Sequence, residues 1–335
     1  MSTTAIVLAY GDERWLGDCL SALAAEGVDI VVVDNGSTRA ELLAEWERRG
    51  GITIVRPGRN LGFAGGCNAG AAVAGGETFA FVNSDAIVQP GAIAALTSAL
   101  TATPDTGLVC ASIRFADAPQ LLNTAGNPFH YVGMVWSGHF GEPAAEHATP
   151  VDVATVTGAT FAVRRDVWEA LGGFADDWFA YNEDSELSLR AWQRGWRVRY
   201  EPAAVVHHHY EFSRHPRKSY LLERNRLLNL LTLYQLRTLL VLAPMLLLFE
   251  VLMFALSVRQ GWWPEKLRGY RWIIRHVRRV AERRRAVQHA RVRSDRDLAP
   301  MWAGRLVLAS IENPPGLGAV NAVLDGYWRL ARPLL

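Results

Sequence analysis

The sequence predicts an α/β domain with a mostly parallel central sheet flanked by helices, followed by a helical C-terminal region. Strand and helix signals alternate through roughly the first 100 residues. Half of the 335 residues are hydrophobic, which is enough for a sizeable core. An apolar run without charge begins at residue 238, and a strongly basic segment follows from residue 259. We therefore expect one domain over 1–230 and a second, helical region over 231–335.

The first elements are predicted by short apolar runs that alternate with helix-like segments. Residues 30–33 form a continuous β-branched run, which is typical of a strand buried on both faces. Such alternation favours a parallel sheet with crossover helices, and these sheets bind ligands beyond the carboxyl ends of their strands. The predicted elements in order are a strand over 5–9, a helix over 15–25, the strand over 30–33, a helix over 39–49, a strand over 52–55, a glycine-rich loop with its helix, and a strand over 79–82.

Polar and glycine-rich segments lie at the carboxyl ends of two of these strands. Asp34 follows the run 30–33 and is suited to accept a hydrogen bond from the imide N–H of a uracil or thymine ring; capping the next helix is the alternative. The loop 60–70 carries four glycines within nine residues, and glycine lets a backbone approach a ligand closely. Its spacing is not the dinucleotide fingerprint GxGxxG, and a packing role is the alternative.

Two carboxylate clusters lie about a hundred residues apart. Asn83-Ser84-Asp85 ends the run 79–82, and Asp85 is a hard oxygen ligand suited to Mg²⁺ or Mn²⁺ on phosphate oxygens; an ordinary turn is the alternative. In the second cluster, Asp184 is a candidate general base, with a helix-start carboxylate pair as the alternative. The apolar residues 178–181 would raise its pKa and a helix start would lower it, so the sequence leaves that balance open.

Three histidines, His207-His208-His209, follow the strand-like run 203–206. One imidazole there is suited to complete a metal site or to contact phosphate, and a surface or packing role is the alternative for each. The basic residues that follow closely and suit phosphate charge are Arg214, Arg217 and Lys218.

The C-terminal region begins with an apolar stretch near the length of a membrane span. Residues 238–249 carry no charge and 251–258 are apolar again, about 21 residues in all, where ~20 span a bilayer. Pro244 and Glu250 are costly in a lone spanning helix, and Trp262-Trp263 end the stretch as at a membrane interface. We therefore expect a monotopic or hairpin insertion rather than a single span.

A basic segment follows this stretch. Residues 259–296 contain thirteen Arg or Lys and three acids, a net +10, which leaves −8 for the rest of the chain. Basic and apolar residues recur at helical spacing over 270–280, as in a helix on an anionic membrane surface; a soluble helical hairpin with a solvated basic face is the alternative. Three cysteines without paired spacing suit a reducing compartment, and the N-terminus shows no secretory signal. We expect attachment to the cytoplasmic face of the cell membrane.

Taken in order, the motifs resemble the inverting family 2 glycosyltransferases of GT-A fold, over roughly residues 3–230. A looser likeness is to bacterial rhamnosyltransferases that extend lipid-linked saccharides. Any one motif is weak, but their order is specific. The motifs are Val33-Asp34-Asn35-Gly36-Ser37, the loop 60–70, Asn83-Ser84-Asp85, Thr157-Gly158-Ala159, Arg164-Arg165-Asp166-Val167-Trp168, Gly172-Gly173-Phe174, the stretch 179–184, Leu189-Arg190 and Gly195-Trp196.

The resemblance implies a role for each candidate residue. Asp184 would deprotonate the acceptor hydroxyl, and Asp85 would coordinate Mg²⁺ or Mn²⁺ on the donor diphosphate with His208 (or His207 or His209) as the histidine ligand. A sugar would pass, with inversion, from a dTDP- or UDP-sugar to a saccharide or polyprenyl-linked acceptor in cell-envelope polysaccharide synthesis. The residues implied to bind nucleotide or donor are Ala9, Tyr10, Asp34, Asn60, Gly62, Gly66, Asn68, Asn83, Ser84 and Asp85. Those implied on the acceptor side are Gly158, Ala159, Trp178 and Glu183.

The chain departs from the family pattern at three places. Asn83 stands at the first position of the Asp-x-Asp metal motif, and Glu186 replaces the second Asp of Glu-Asp-x-Asp-Leu. Ala9-Tyr10-Gly11 replaces the commoner Thr-Tyr-Asn. These differences leave the proposed base in place and weaken the expectations for nucleobase contacts and metal dependence.

Two other function classes are compatible with parts of the sequence. A sugar-1-phosphate nucleotidyltransferase also uses an α/β nucleotide domain and a metal, but its glycine-rich loop followed by Arg and Lys is missing around 9–16. A non-catalytic nucleic-acid-binding protein would use the basic segment, yet those basic residues alternate with Trp and Ile and no nucleic-acid motif appears, so we expect no nucleic-acid partner. The oligomeric state stays open, a homo-oligomer included.

Overall fold

A computed structural model describes residues 2–209, 217–307 and 316–335. Its strands are β1 (Thr3–Gly11), β2 (Asp29–Ser37), β3 (Ile52–Val55), β4 (Thr78–Asn83), β5 (Ala86–Val88), β6 (Thr106–Phe115), β7 (Leu122–Thr124), β8 (Phe129–His130), β9 (Val151–Asp152), β10 (Thr160–Arg164), β11 (Arg197–His208) and β12 (Trp302–Ala303). Its helices are α1 (Leu16–Ala25), α2 (Ala40–Arg49), α3 (Gly62–Val73), α4 (Ala92–Thr101), α5 (Arg165–Leu171), α6 (Glu183–Gln193), α7 (Lys218–Leu233), α8 (Leu236–Arg259), α9 (Trp263–Arg275), α10 (Val277–His289), α11 (Asp295–Leu298) and α12 (Leu317–Ala331).

The described residues group into two compact units. One lies within 1–127, 137–191 and 196–212, and the other within 128–136, 192–195 and 213–335. The sequence expectation places helix α7 in the first domain, which ends at residue 230. In the structure α7 packs on α9 and α10 and so belongs to the second unit.

The first unit is built on one mixed sheet with the strand order β3-β2-β1-β4-β10-β6-β11-β5. Strands β1 to β4 pair in parallel and are joined by α1, α2 and α3, which confirms the predicted order of strands and helices. Beyond β4 the sheet is mixed, because β10 runs antiparallel to both β4 and β6, whereas β11 again pairs with β6 in parallel. Strand β10 starts at the carboxyl edge of β4, and it therefore brings residues 157–159 to that edge.

Apolar side chains on both faces of the sheet form the core, as the β-branched runs predict. On one face, Leu16, Leu20 and Leu23 of α1 are fully buried. On the other face, the ring centroid of Phe81 lies 5.0 Å from that of Phe161 and 4.7 Å from that of Trp168. Phe174 packs on the same cluster, which anchors the chain just before the second carboxylate cluster.

The predicted glycine-rich loop is largely helix α3, which starts at Gly62. A Cβ atom at Gly66 would lie 2.3 Å from Leu8 Cδ1, and one at Gly70 would lie 2.6 Å from Ile6 Cγ2. These glycines therefore let α3 pack closely on β1, which favours the packing alternative for both.

The second unit is mainly helical. Among the described residues, α8 is the one helix long and apolar enough to cross a membrane, with a mean hydropathy of 2.6. The sequence predicts one amphipathic helix over 270–280. The structure differs in that the helix breaks at His276, between α9 and α10. The His276 ring stacks on Trp272 with centroids 4.4 Å apart, and its Nδ1 lies 2.8 Å from the Trp272 carbonyl oxygen, so this side chain occupies the end of α9.

Candidate active site

Asp85 and His208 face each other at the carboxyl edge of the sheet. Strand β5 pairs antiparallel with β11 and sets Ala86 opposite His208, so the preceding residue, Asp85, lies beside the same histidine. Asp85 Oδ1 is 3.2 Å from His208 Nε2, and both side chains are largely buried. The structure thus brings together the carboxylate and the histidine that the sequence predicts as metal ligands.

Asn123 on β7 holds the other side of the His208 ring. Its Oδ1 lies 3.0 Å from His208 Nδ1. With Nδ1 protonated, the ring donates to Asn123 and presents the lone pair of Nε2 to Asp85. Two lone-pair donors at hydrogen-bond distance need a proton or a cation between them, and one carboxylate oxygen with one imidazole nitrogen suits a divalent metal.

The two neighbouring histidines have other surroundings. His207 lies on β11 beside His208, and successive side chains of a strand point to opposite faces. The His209 ring stacks on Trp15, with centroids 3.5 Å apart and planes 9° apart, and its backbone N–H donates to the Asp85 carbonyl. Of the three, His208 is the residue whose ring nitrogen meets the Asp85 carboxylate.

The contact of the basic residues after the histidines with phosphate remains a prediction. Arg214 lies outside the described residues. Arg217 and Lys218 lie at the start of α7, in the second compact unit.

Asp184 is the second residue of α6 and is held by three donors. Its Oδ2 accepts from the Gly158 backbone N–H at 2.8 Å, and its Oδ1 accepts from the Ser185 N–H at 2.7 Å and the Ser185 hydroxyl at 3.2 Å. Burial raises the pKa of Asp184, and it outweighs these hydrogen bonds, which lower the pKa. The balance that the sequence left open therefore favours a carboxylate that accepts a proton more readily than an ordinary Asp.

The segment before Asp184 has an unusual backbone. Phe179, Tyr181 and Asn182 have φ values of 62°, 69° and 64°, in the left-handed region that side chains other than glycine rarely adopt. The Phe179 carbonyl accepts from the Ala64 N–H at 3.1 Å, and a Cβ at Gly62 would lie 2.3 Å from that carbonyl oxygen. The start of α3 thus packs against the strained turn that leads to Asp184. Clustered backbone strain of this kind is typical of functional sites.

Residues 158–159 connect the two carboxylate clusters. The Gly158 N–H donates to Asp184, and the Ala159 carbonyl accepts from the Asn83 N–H at 2.9 Å. One short segment therefore contacts the proposed base on one side and the Asp85 turn on the other. This contact explains how carboxylates a hundred residues apart share one edge of the sheet.

Three of the four residues expected on the acceptor side are buried: Ala159, Trp178 and Glu183. Trp178 is 1 % exposed, and Glu183 is buried with its Oε2 unpaired among the described residues. Burial, and then the neighbouring Asp184 carboxylate, raise the pKa of Glu183 well above its ordinary value. Glu183 and Asp184 thus form a close acidic pair in which the more buried member favours its neutral form.

The Glu186 departure has a structural role. The Arg190 guanidinium pairs with the Glu186 carboxylate at 2.7 Å, and both side chains are buried. Arg190 also donates to the carbonyls of Leu171 and Gly173. Through Arg190, this ion pair fixes α6 to the turn before Phe174. Glu186, which replaces the Asp of the family pattern, is therefore part of the structural support of α6.

Asp34 lies in a turn at the end of β2. Its Oδ1 accepts from the N–H groups of Gly36 at 3.3 Å and Ser37 at 3.0 Å, so it caps this turn rather than helix α2. Ala9 is fully buried, whereas Tyr10 is 52 % exposed beside Gly36. Asp34 and Tyr10 therefore border the same open edge, and their contacts with a nucleobase remain a prediction.

Asn35 is an organising residue for which the sequence suggested no role. Its buried side chain donates to Asn60 Oδ1 and to the Gly62 carbonyl, both at 3.1 Å, and accepts from the Leu61 N–H at 2.7 Å. It therefore ties the end of β2 to the start of α3. In the sequence, its position directly after Asp34 at the end of a predicted strand is the feature that could have indicated this role.

Asn68 also makes structural contacts. Its side chain exchanges two hydrogen bonds with the Phe174 backbone, at 2.9 and 3.0 Å, and donates to Asp176 Oδ1 at 2.6 Å. These bonds join α3 to the turn that precedes the base. A direct donor contact by Asn68, as the resemblance implies, remains a prediction.

Comparison with known proteins identifies the family. The sequence profile of glycosyl transferase family 2 matches residues 4–172. An N-acetylglucosaminyl-diphospho-decaprenol L-rhamnosyltransferase of Mycobacterium tuberculosis is 30 % identical over 219 residues, which are 59 % of this chain and 71 % of the relative. A probable glycosyltransferase of Bacillus subtilis, YdaM, is 29 % identical over 212 residues, 60 % of this chain and 49 % of the relative.

Solved structures agree on the fold. GalNAc-T7, crystallised with UDP, GalNAc and Mn²⁺, superposes with a TM-score of 0.58 at 16 % identity, covering 71 % of this chain and 49 % of that one. S. aureus TarS 1-349, in complex with UDP, gives a TM-score of 0.52 at 16 % identity, covering 99 % of this chain and 90 % of that one. The family assignment excludes the nucleotidyltransferase and non-catalytic alternatives as the main activity. The chain belongs to glycosyltransferase family 2, as an enzyme with the GT-A fold.

Proposed function

We propose that this enzyme transfers a sugar, rhamnose being the first candidate, from a dTDP- or UDP-linked donor to a hydroxyl of a saccharide on a polyprenyl diphosphate carrier. Such a reaction belongs to cell-envelope polysaccharide synthesis. The observation that carries the proposal is the joining of Asp184 and the Asp85–His208 pair through residues 158–159. The name of the M. tuberculosis relative supports the choice of sugar and of lipid-linked acceptor.

On the donor side, Asp85 and His208 would hold Mg²⁺ or Mn²⁺. The fit rests on their facing lone pairs at 3.2 Å and on the Asn123 contact, which fixes the ring. When bound, the ion neutralises charge on the diphosphate leaving group. Asn83 leaves Asp85 as the carboxylate of this turn, so His208 has a larger share in the site than it would beside two aspartates.

On the acceptor side, Asp184 accepts the proton of the attacking hydroxyl. The hydroxyl oxygen bonds to the anomeric carbon as the bond from that carbon to the diphosphate oxygen breaks, which inverts the configuration. A raised pKa makes Asp184 a better base than an ordinary carboxylate, and the Gly158 and Ser185 donors orient it. Asp34 and Tyr10 would contact the nucleobase at the neighbouring strand end.

The second unit would attach the enzyme to the cytoplasmic face of the membrane. One face of α8 is apolar and open, with Leu240, Leu247 and Val251 each about two-thirds exposed. A contiguous apolar surface of this kind is typical of membrane or protein contact. Exposed arginines on α9 and α10 alternate with exposed Ile274 and Val277. Positive charge beside apolar side chains suits the anionic headgroups of the cytoplasmic leaflet better than an uncharged protein surface.

The ionic contacts of α8 support attachment in the plane of the membrane. Glu250 pairs with Arg226 and with Lys266, whose Nζ lies 2.7 Å from Glu250 Oε1. Lys266 is fully buried and also pairs with Glu223 at 2.6 Å. A helix with one face in such an ionic cluster is not surrounded by lipid, so we favour monotopic insertion over a single span.

A transfer assay tests the proposed reaction. UDP, dTDP and GDP are first screened by thermal shift with Mg²⁺ and Mn²⁺, and the corresponding sugars are then offered with a polyprenyl-diphosphate N-acetylglucosamine acceptor. We expect UDP or dTDP to raise the melting temperature only with metal, because the diphosphate needs the cation, and product to gain one sugar by mass spectrometry. Metal-independent stabilisation, or transfer with retained anomeric configuration, would contradict the proposal.

A further inference from the structure

A loop between β8 and β9 brings together three ligand atoms that the proposed reaction does not use. His139 Nδ1 lies 3.0 Å from Glu142 Oε2, and His147 Nε2 lies 2.7 Å from the same oxygen. The three ligand atoms all lie within 4.8 Å of one another. They converge on one point from three side chains of the first compact unit.

The chemistry of these atoms selects a class of metal ion. Two imidazoles and one carboxylate are the ligands of several zinc sites, whereas Mg²⁺ prefers oxygen ligands alone. Neutral imidazoles leave the cluster with one negative charge, which a divalent cation offsets. The side chains of His139 and Glu142 are about half exposed and that of His147 is partly buried, so water has access to a fourth position from the open side.

The loop backbone already holds the three residues in place. Gly141 N–H donates to the Leu122 carbonyl at 2.8 Å, and Leu122 N–H donates to the Glu142 carbonyl at 2.9 Å, so the loop is fastened to β7. His139 adopts a left-handed φ of 58°, and its ring packs on that of His147 with centroids 3.9 Å apart. An uncommon conformation directs His139 to the carboxylate that His147 also meets.

This loop is connected to the support of His208. The strand to which it is fastened carries Asn123, the partner of His208 Nδ1. Phe140 of the loop packs edge-on against Phe115, with centroids 5.1 Å apart, and Phe115 is the partner of His208 in the β6–β11 register. The loop therefore contacts the strands that support the proposed metal ligand His208.

We propose that His139, Glu142 and His147 bind a divalent transition-metal ion of the Zn²⁺ class, at a site separate from Asp85 and His208. Three protein ligands and one water complete a tetrahedral coordination. The ion replaces the hydrogen bonds between the histidines and Glu142 and fixes the loop on β7. This site is independent of the proposed sugar transfer.

Zinc titration in an Asp85→Asn background tests the proposal, because that background removes the carboxylate of the other site. Zn²⁺ is titrated against a chromophoric chelator, and Co²⁺ is followed by the visible absorption of tetrahedral coordination. We expect one equivalent to bind, and the added pair His139→Gln and His147→Gln to weaken this binding by at least about 100-fold. Glu146→Gln, an exposed carboxylate in the same loop, is the matched control and should bind as the background does.

Melting temperatures measured in chelator should be the same for all variants if they share one fold. Zn²⁺ should then raise the melting temperature of the Glu146→Gln control but not that of the variant with both histidines replaced. Equal zinc affinity with and without His139 and His147 would overturn the site. Absence of a bound equivalent in the Asp85→Asn background would overturn it as well, whatever the outcome of the transfer assay.

Discussion

At the scale of single residues, the facing pair of Asp85 and His208 is the feature on which the proposed metal binding depends. Each would contribute one ligand atom, and the ring of His208 is oriented by Asn123. Asn83 stands where the Asp-x-Asp motif has its first aspartate, so this turn carries no second carboxylate that could replace Asp85 as a ligand. This makes the site more sensitive to single changes than one with two aspartates.

We expect Asp85→Asn and His208→Ala each to weaken metal-dependent binding of the donor nucleotide by at least about tenfold, because each removes a ligand. Isothermal titration of the nucleotide with and without Mn²⁺ measures this. Asp29→Asn, an exposed carboxylate at the amino end of β2, is the control and should bind normally. Unchanged nucleotide affinity in both site variants would remove the metal role from this pair.

The candidate residues for the chemistry could be proposed from the sequence, and the residues that position them less so. Asp85, Asp184 and the group His207–His209 stand at strand or helix ends, where local pattern draws attention to them. Asn35 and Asn123 act through partners 26 and 85 positions away, respectively, which a local pattern does not contain. The pKa direction of Asp184 also required the tertiary structure, since burial and hydrogen bonding oppose each other there.

At the scale of elements, the contact between α3 and the strained turn before α6 holds the segment that leads to Asp184, the proposed base. Gly62 has a φ of 74°, and a Cβ there would meet the Phe179 carbonyl. The turn over 179–182 therefore depends on the absence of a side chain at the start of α3. Its strain is compensated by packing and hydrogen bonds from a different part of the chain.

We expect Gly62→Ala to lower the free energy of unfolding by about 2–4 kcal/mol, because it adds both a clash and a strained φ. Urea unfolding followed by circular dichroism measures it. Gly75→Ala is the matched control, since a Cβ there meets no described atom within 4 Å, and it should be nearly neutral. Equal midpoints for the two variants would argue against this contact.

Periodicity predicted the early elements well because β1 to β4 and their helices follow simple patterns. It gave no sign that β10 would run antiparallel, because strand direction depends on where the chain re-enters the sheet. The break at His276 was also not predicted, since no glycine or proline marks it in the sequence and the contact of the His276 ring with Trp272 is seen only in the structure.

At the scale of the whole molecule, the second unit combines an apolar helix face with a buried ionic cluster. Glu250 is costly in a lipid-exposed span, but here it pairs with Arg226 and Lys266. The apolar residues on the other face of α8 remain open. This division of one helix into a protein face and an open face is the pattern of an in-plane anchor.

We expect the pair Leu247→Glu and Val251→Glu to reduce binding to anionic vesicles by more than about tenfold, since two exposed apolar side chains are lost from the open face. Vesicle co-sedimentation over a salt series measures it. Val73→Glu, an exposed apolar position on α3, is the control. Undiminished vesicle binding by the double variant, or tight salt-sensitive binding of DNA or RNA without vesicle binding, would count against this surface.

The measurement that tests the central claim most directly compares sugar transfer with donor binding in Asp184→Asn. We predict that turnover falls by about 10²–10⁴-fold while metal-dependent nucleotide affinity is retained, because Asp184 acts on the acceptor proton and not on the donor. In the wild type, turnover should fall as pH drops through an apparent pKa above that of an ordinary Asp, since only the deprotonated base accepts a proton and burial raises its pKa. Near-normal turnover in Asp184→Asn, with the same acid limb, would contradict the assignment of the base.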